Sequence, residues 1–442
     1  MRVTTFARWG AFLLLTMLGA VAHAQGLSGD VPTIVIRDGT ETAHRIAIVP
    51  FAFEGAGVPP ETDVSEVVRM DLARSGQFRT LEKDRVVEFP TRGNEIKFPT
   101  WKILDQQYIT VGRVMDAEGG ALRVEFELFE VASGRSMLGL AITGQRSDLR
   151  GVAHQVADLV YEKITNVRGA FWTRIAYVTA AGVQPNIQYA LMVADSDGYN
   201  PQVVVKSREP LLSPSWSPDG RKLAYVSFER GDSAIYIQEI ATGSRQVISN
   251  RKGINGAPSF SPDGNRLALT LSYLGNPDIF VMDLGSREIT RITSQMSIDT
   301  EAVWTPDGQN LIFTSDRAGK PQLYQVPATG GDASRVTFAG EYNAKASIAY
   351  DGSKIAMAQG AGNVYRIAVL NRSKGSQVTM VSPGSVDESP SFAPNGSMLL
   401  YAATDGPRGV LYAVSADGRV RQRLVLADGD VREPSWGPFR QR

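Results

Sequence analysis

Among the residues able to do chemistry, the carboxylates stand out by their spacing. Asp299 and Glu301, Asp387 and Glu388, and Glu433 fall in short segments reading Asp-Thr-Glu, Asp-Glu-Ser and Val-Arg-Glu. Paired carboxylates are the acid and base of glycoside cleavage, so Glu301, Asp387 and Glu388 define one candidate activity, a carbohydrate hydrolase or lyase. The same oxygens in Glu301, Glu388 and Glu433 are hard donors of the kind calcium takes, although no fixed ligand spacing accompanies them, so calcium is admitted and not required. Composition excludes most other chemistry. The absence of cysteine removes disulfides, thiolate nucleophiles and Cys-based metal sites. The histidines are His23, His44 and His154, all in the N-terminal part, and no Gly-x-Ser-x-Gly elbow is present, so a serine-peptidase reading fails. Lys and Arg number 46 against 46 Asp and Glu, with no long basic run, which argues against nucleic acid or an anionic membrane surface as partner.

The elements that must position these carboxylates are repeats. "SPSWSPDG" ends at Gly220, "APSFSPDG" at Gly264, "AVWTPDG" at Gly308, "SIAYDG" at Gly352 and "SPSFAPNG" at Gly396, each glycine 44 residues after the last. Trp216, Phe260, Trp304, Ile348 and Phe392 keep one register, and "EPSWGPF" places Trp436 a further 44 residues on. Each unit reads as four short strands with turn residues between them, the signature of a propeller blade. In the Pro-Asp-Gly element Pro fixes φ, Asp bonds nearby backbone and Gly accepts a positive φ, so the chain reverses after the first strand. The aromatic before it is expected between neighbouring blades. The sixth copy stops after one strand, while residues 173–206 supply three strands with no first, so the C-terminal strand is expected to complete the first blade and close the ring. The segments entering each first strand, at residues 211–213, 255–257, 299–301, 343–345, 387–389 and 431–433, then gather at one end of the channel as a mixed polar, acid-rich ring.

The chain begins with a basic segment holding Arg2 and Arg8, an apolar stretch over residues 9–21 and an Ala22-His23-Ala24 cleavage signal. This predicts a secretory leader over residues 1–24, cut after Ala24, because the apolar run is short of the ~20 residues a spanning helix needs. Residues 25–45 form a tail containing the β-prone "VPTIVIRDG" over residues 31–39, which either adds to a partner's sheet edge or pairs within its own chain. Residues 46–168 carry strand patterns starting at Ile46, Phe78, Tyr108, Leu122 and Ser136. They also carry a helix opening at Asp63 and stopping near Gly76, and another from about residue 148 to 164. The expected fold is a mixed-sheet α/β domain with two helices, then an all-β six-bladed propeller over residues 169–442.

The leader, "PTIVIRDG", "RIAIVPF", the "SPSWSPDG" series and "NGAPSFSPDG" together resemble the TolB family, periplasmic propellers of the Tol-Pal system, over essentially the whole chain. The resemblance implies a non-enzymatic, monomeric periplasmic docking protein without direct membrane insertion. It would bind the peptidoglycan-associated lipoprotein Pal through the propeller and TolA through the tail, with room for other envelope proteins, and serve outer-membrane integrity and envelope constriction at division. Carried over by motif, the Pal contacts fall on Asn255, Thr300, Glu301, Asn343, Asp387, Glu388, Arg432 and Glu433. The TolA strand falls on Val31, Thr33, Ile34, Val35 and Ile36. The family often has histidine before the Asn-Gly-Ala-Pro motif, where this chain has Ile254.

Overall fold

The computed structural model describes residues 34–36, 42–373, 375–424, 426 and 429–441. Ala24, Val31 and Thr33 lie outside these. The described chain opens with β1 (Ile34–Ile36) and then builds the α/β domain. Its strand β2 (His44–Ile48) leads through β3 (Ala52–Phe53) to helix α1 (Val64–Arg74) and β4 (Phe78–Thr80). Asp63 caps α1 by accepting the Glu66 amide at 3.1 Å, and the helix ends into Gly76, whose φ of 71° suits a residue without Cβ. Helix α2 (Phe98–Ile103), β5 (Tyr108–Asp116), β6 (Ala121–Glu130), β7 (Arg135–Gln145) and α3 (Leu149–Thr165) complete the domain. The sheet runs β4-β2-β5-β6-β7, with β2 parallel to β4 and β5, and with β6 and β7 antiparallel. Helices α1 and α3 bury Val67, Val68, Leu72, Val152, Val156 and Val160 against one sheet face. The other face is closed by Trp101 of α2, a helix beyond the two expected: six residues with Pro99 in the first turn are too few to show a helical period.

The rest is a six-bladed propeller. Its innermost strands are Leu211–Trp216, Asn255–Phe260, Asp299–Trp304, Tyr342–Ile348, Glu388–Phe392 and Asp430–Trp436. The last pairs antiparallel with Arg174–Ala181, Asp430 opposite Ala180 and Trp436 opposite Ile175, so the C-terminus supplies the first strand of blade one. The turn element works through its side chains: Asp219 accepts the Arg221 amide at 3.0 Å and the Ser217 hydroxyl at 2.5 Å, and Gly220 takes φ 68°. Without its proline, the fourth copy still turns at Gly352 with φ 70°. The aromatics lie between blades, where Trp216 Nε1 donates to Ser435 O at 3.1 Å and Trp304 Nε1 to Ser259 O at 3.0 Å.

The two domains share one apolar core. Tyr161, Val160 and Phe78 of the α/β domain join Tyr177, Met192, Leu400, Leu411 and Trp436 of blades one and six. The α/β domain sits on the end of the propeller that carries the Pro-Asp-Gly turns, since it meets Ser196, Ser415 and the Asn395 side chain there. The opposite end, where the chain enters each innermost strand, faces away from it. Strand β1 pairs antiparallel with Val420–Arg423, Ile34 opposite Gln422 and Ile36 opposite Val420, and so becomes a fifth strand on blade six. The tail strand therefore pairs within its own chain.

Removing residues 430–442 takes the innermost strand from blade one and should abolish cooperative melting of the propeller or drive dimerisation through the vacated edge. Circular dichroism melting and light scattering read both. A truncated monomer melting like the intact chain would contradict this account of closure.

Candidate functional site

Every innermost strand carries the same irregularity. The ladder shifts register between Leu212 and Ser215, Gly256 and Ser259, Thr300 and Val303, Ala344 and Ser347, Glu388 and Ser391, and Arg432 and Ser435. Within each bulge one non-glycine residue is left-handed: Ser213, Ala257, Glu301, Lys345, Ser389 and Glu433, with φ between 44° and 57°. Such a conformation costs about 1 kcal/mol or more each. The bulge re-aims these side chains so that residues from non-adjacent blades meet across the channel.

Lys345 of blade five shows the convergence. Its Nζ lies 2.9 Å from Glu433 Oε1 of blade one and 2.9 Å from Ser389 Oγ of blade six. Glu301 of blade four accepts the Thr314 hydroxyl at 3.1 Å and the Lys345 amide at 3.2 Å. Burial raises the Glu301 pKa above the usual carboxylate value, against the pull of Lys345. Burial alone would lower the Lys345 pKa, but Glu433, Glu388 and Glu301 outweigh it and hold the ammonium charged. One ammonium thus faces Glu301, Glu388 and Glu433, and the channel mouth stays acidic.

The other predicted contacts divide. Asn255, Asn343 and Asp387 are buried and spent inside the protein. Asn255 Oδ1 accepts from Ser249 Oγ at 2.6 Å and the Arg251 amide at 2.9 Å, Asn343 Nδ2 donates to Gln322 Oε1 at 2.9 Å, and Asp387 Oδ2 accepts the Gly384 amide at 2.8 Å. They hold the loops that enter the innermost strands and shape the rim rather than offering atoms to a partner. Asp299, at the same register, does likewise through a two-pronged bond from Arg317 at 3.1 and 3.0 Å. Thr300 is half-buried, its hydroxyl 3.2 Å from that of Thr270, and Arg432 lies 3.8 Å from Asp430. Beyond the predicted residues, Lys345 belongs to the site; adding 44-residue steps to Glu301 would have reached it, along with Ser389 and Glu433. Exposed apolar residues rim the same end: Ile254, Met296, Phe338 and Val386, of which Met296 is 95% and Phe338 75% exposed.

This arrangement does not suit calcium, because the Lys345 ammonium already sits among the carboxylates that would ligate it. It does not suit glycoside cleavage either: Asp387 is buried in a loop with Oδ2 on the Gly384 amide, and Glu301 Oε2 is taken up by the Thr314 hydroxyl and the Lys345 amide. What it can do is receive donors and apolar groups from another protein.

The comparisons with known proteins agree over nearly the whole length. Residues 32–137 match the family described as the TolB amino-terminal domain, and residues 161–440 the one described as the TolB beta propeller domain. The chain belongs to the TolB family. It is 66% identical over 436 residues, 98% of each chain, to the Tol-Pal system protein TolB of Xanthomonas euvesicatoria pv. vesicatoria, and 65% identical over the same share to that of Xanthomonas campestris pv. campestris. The crystal structure of TolB from Acinetobacter baumannii superposes with a TM-score of 0.84 at 40% identity, covering 92% of this chain and all of that one. Membership makes the chain a non-enzymatic component of the Tol-Pal system of the cell envelope, and the hydrolase or lyase alternative is set aside. Among the described residues, no helix is long and apolar enough to cross a membrane.

Replacing Lys345 with Met should leave Glu433 without its partner and cost about 1–3 kcal/mol in urea unfolding. Adding Glu433→Gln should recover part of that loss, since the two side chains touch. Equal stability of Lys345→Met and wild type would show that the ammonium carries no weight in the channel.

Proposed function

We propose that this TolB-family protein docks the lipoprotein Pal on the open mouth end of its propeller and TolA on its N-terminal tail, in the periplasm after cleavage at Ala24. In this role it serves outer-membrane integrity and constriction at division. The observation that carries the first half is the uncovered end itself, where an acidic channel mouth is rimmed by Ile254, Met296, Phe338 and Val386. Large apolar side chains exposed together at one end of a protein mark a surface that another protein can cover. The reading needs no cofactor, because the Lys345 ammonium fills the place a channel cation would take.

The tail half rests on a different feature. Three residues of β1 pair along one edge of blade six, and a partner offering a sheet edge of its own competes for the same backbone groups. So short a pairing is the kind that exchanges, because only a few ladder bonds must be replaced.

Titration calorimetry of residues 25–442 with the soluble domain of Pal should give micromolar or tighter binding. A Glu301→Ala, Glu388→Ala double variant should weaken it tenfold or more, a loss of about 1.4 kcal/mol. Absence of binding by folded wild-type protein would refute the docking assignment, and unchanged affinity in the variant would move the site off the channel mouth.

A further inference from the structure

A charged cluster is buried where the α/β domain meets blade one, far from the channel mouth. Asp71 and Arg74 come from α1, His154, Arg150 and Asp158 from α3, and Ser196 and Asp197 from the turn that follows strand Gln188–Asp195 of blade one. Arg74 donates to Ser196 O at 2.9 Å, to Ser196 Oγ at 2.7 Å and to Asp71 Oδ1 at 3.0 Å. Arg150 bonds Asp197 and lies 3.5 Å from the centre of the Tyr199 ring. His154, 1% exposed, stands between the domains: Nδ1 is 2.5 Å from Asp71 Oδ2 and Nε2 is 3.5 Å from Asp197 Oδ2. Asp158 Oδ1 accepts the Phe171 amide at 2.7 Å and Oδ2 the Trp172 amide at 3.3 Å, which fastens the start of the propeller to α3.

Asp71, His154 and Asp197 lie close enough to suggest a metal site, but both carboxylates already carry a guanidinium, and a divalent ion there would face two fixed cations. A proton on the imidazole meets the same geometry with a single charge and makes both ring nitrogens donors, one toward each domain. We propose that this seam is a proton-controlled joint, in which protonated His154 is the cation tying Asp71 of α1 to Asp197 of the propeller.

The sign follows from the neighbours. Burial would lower the His154 pKa, but Asp71 and Asp197, against the repulsion of Arg74, hold it above the ordinary 6.5. The joint is therefore fully tied below pH 6.5 and weakens as pH rises through the raised value. Burial pushes Asp158 up to about 7 from 3.8, so its share of the stability is also lost on raising the pH, with the slope at half its maximum at about 7 and gone roughly one pH unit above. Only the slope that remains more than about one pH unit above that value belongs to His154 alone.

Nitrogen-15 spectra of residues 25–442 test this directly, since His44 and His154 are the imidazoles present. Burial lowers the His44 pKa while Asp71 and Asp197 raise that of His154, so His154 should titrate at the higher pH of the two. Asp197→Asn should bring the His154 midpoint down and leave His44 unmoved. Calorimetric melting between about pH 8 and 9 should fall more steeply for wild type than for His154→Gln. A His154 midpoint at or below that of His44, or an equal slope in His154→Gln, would overturn the proposal. If the glutamine variant does not fold, the wild-type and Asp197→Asn titrations decide alone.

Discussion

A four-stranded blade can cover neither of its faces by itself, and the architecture follows from the need to cover both. Each blade places Leu or Ile at the centre of its sheet, as with Leu223 and Ile235 in blade two and Leu311 and Leu323 in blade four, and depends on its neighbours to exclude water. At about 25 cal/mol per Å², burying one such side chain stabilises by roughly 2 kcal/mol, but only if the ring closes. Closure falls to the pairing of Asp430–Trp436 with Arg174–Ala181, which joins the two ends of the propeller in one sheet. The interblade tryptophans Trp216 and Trp304 then act as spacers with a polar tether, each indole donating to a backbone oxygen of the preceding blade.

The repeat made this legible without coordinates. Turn chemistry at Gly220, Gly264, Gly308 and Gly396 and the aromatic register fix the blade count, and the lone sixth copy at Trp436 fixes the closure. The capped helix at Asp63 was readable for the same reason, since caps are local. Two things were not. A six-residue helix around Trp101 offers too little period to be seen, and its place is set by the sheet face it covers. Burial within a polar segment is not local either: Asn255 and Glu301 both lie in segments entering a first strand, yet one is consumed by its loop and the other is turned into the channel. The difference is the left-handed bulge at every forty-fourth residue, which the side-chain types (Ser, Ala, Glu, Lys, Ser and Glu) do not advertise.

That bulge also explains why so polar a centre is tolerated. A regular strand would alternate its side chains between neighbouring blades, and a glutamate there would be buried among apolar groups at a cost of several kcal/mol. Turning it toward the axis puts Glu301, Lys345 and Glu433 where they compensate one another, the left-handed strain being smaller than the desolvation it avoids. The arrangement sets three carboxyl groups against one ammonium, and such an excess of acceptors is complementary to a partner's donors.

The two ends of the propeller are therefore built on opposite principles. The turn end is welded to the α/β domain by a continuous apolar core with a charged cluster set into it, and the mouth end is left open. Strand β1 lies beside the welded end. Val420, its partner in register with Ile36, also lies against Gly76 at the close of α1, the helix that supplies Asp71 and Arg74 to the seam. A side chain grown at Gly76 would meet Ser415 Cβ at 2.9 Å and Val420 at 3.3 Å, so the helix end and the edge that holds the tail are in contact with no room between them. Whatever exchanges the tail strand thus acts on a surface packed against α1, while a ligand at the mouth acts on blades of which one and five share apolar core with blade six. Energetic coupling between two sites requires an element both of them bias. Blade six is an element of that kind: it holds the tail strand, packs against the end of α1 and lends Ser389 to the channel.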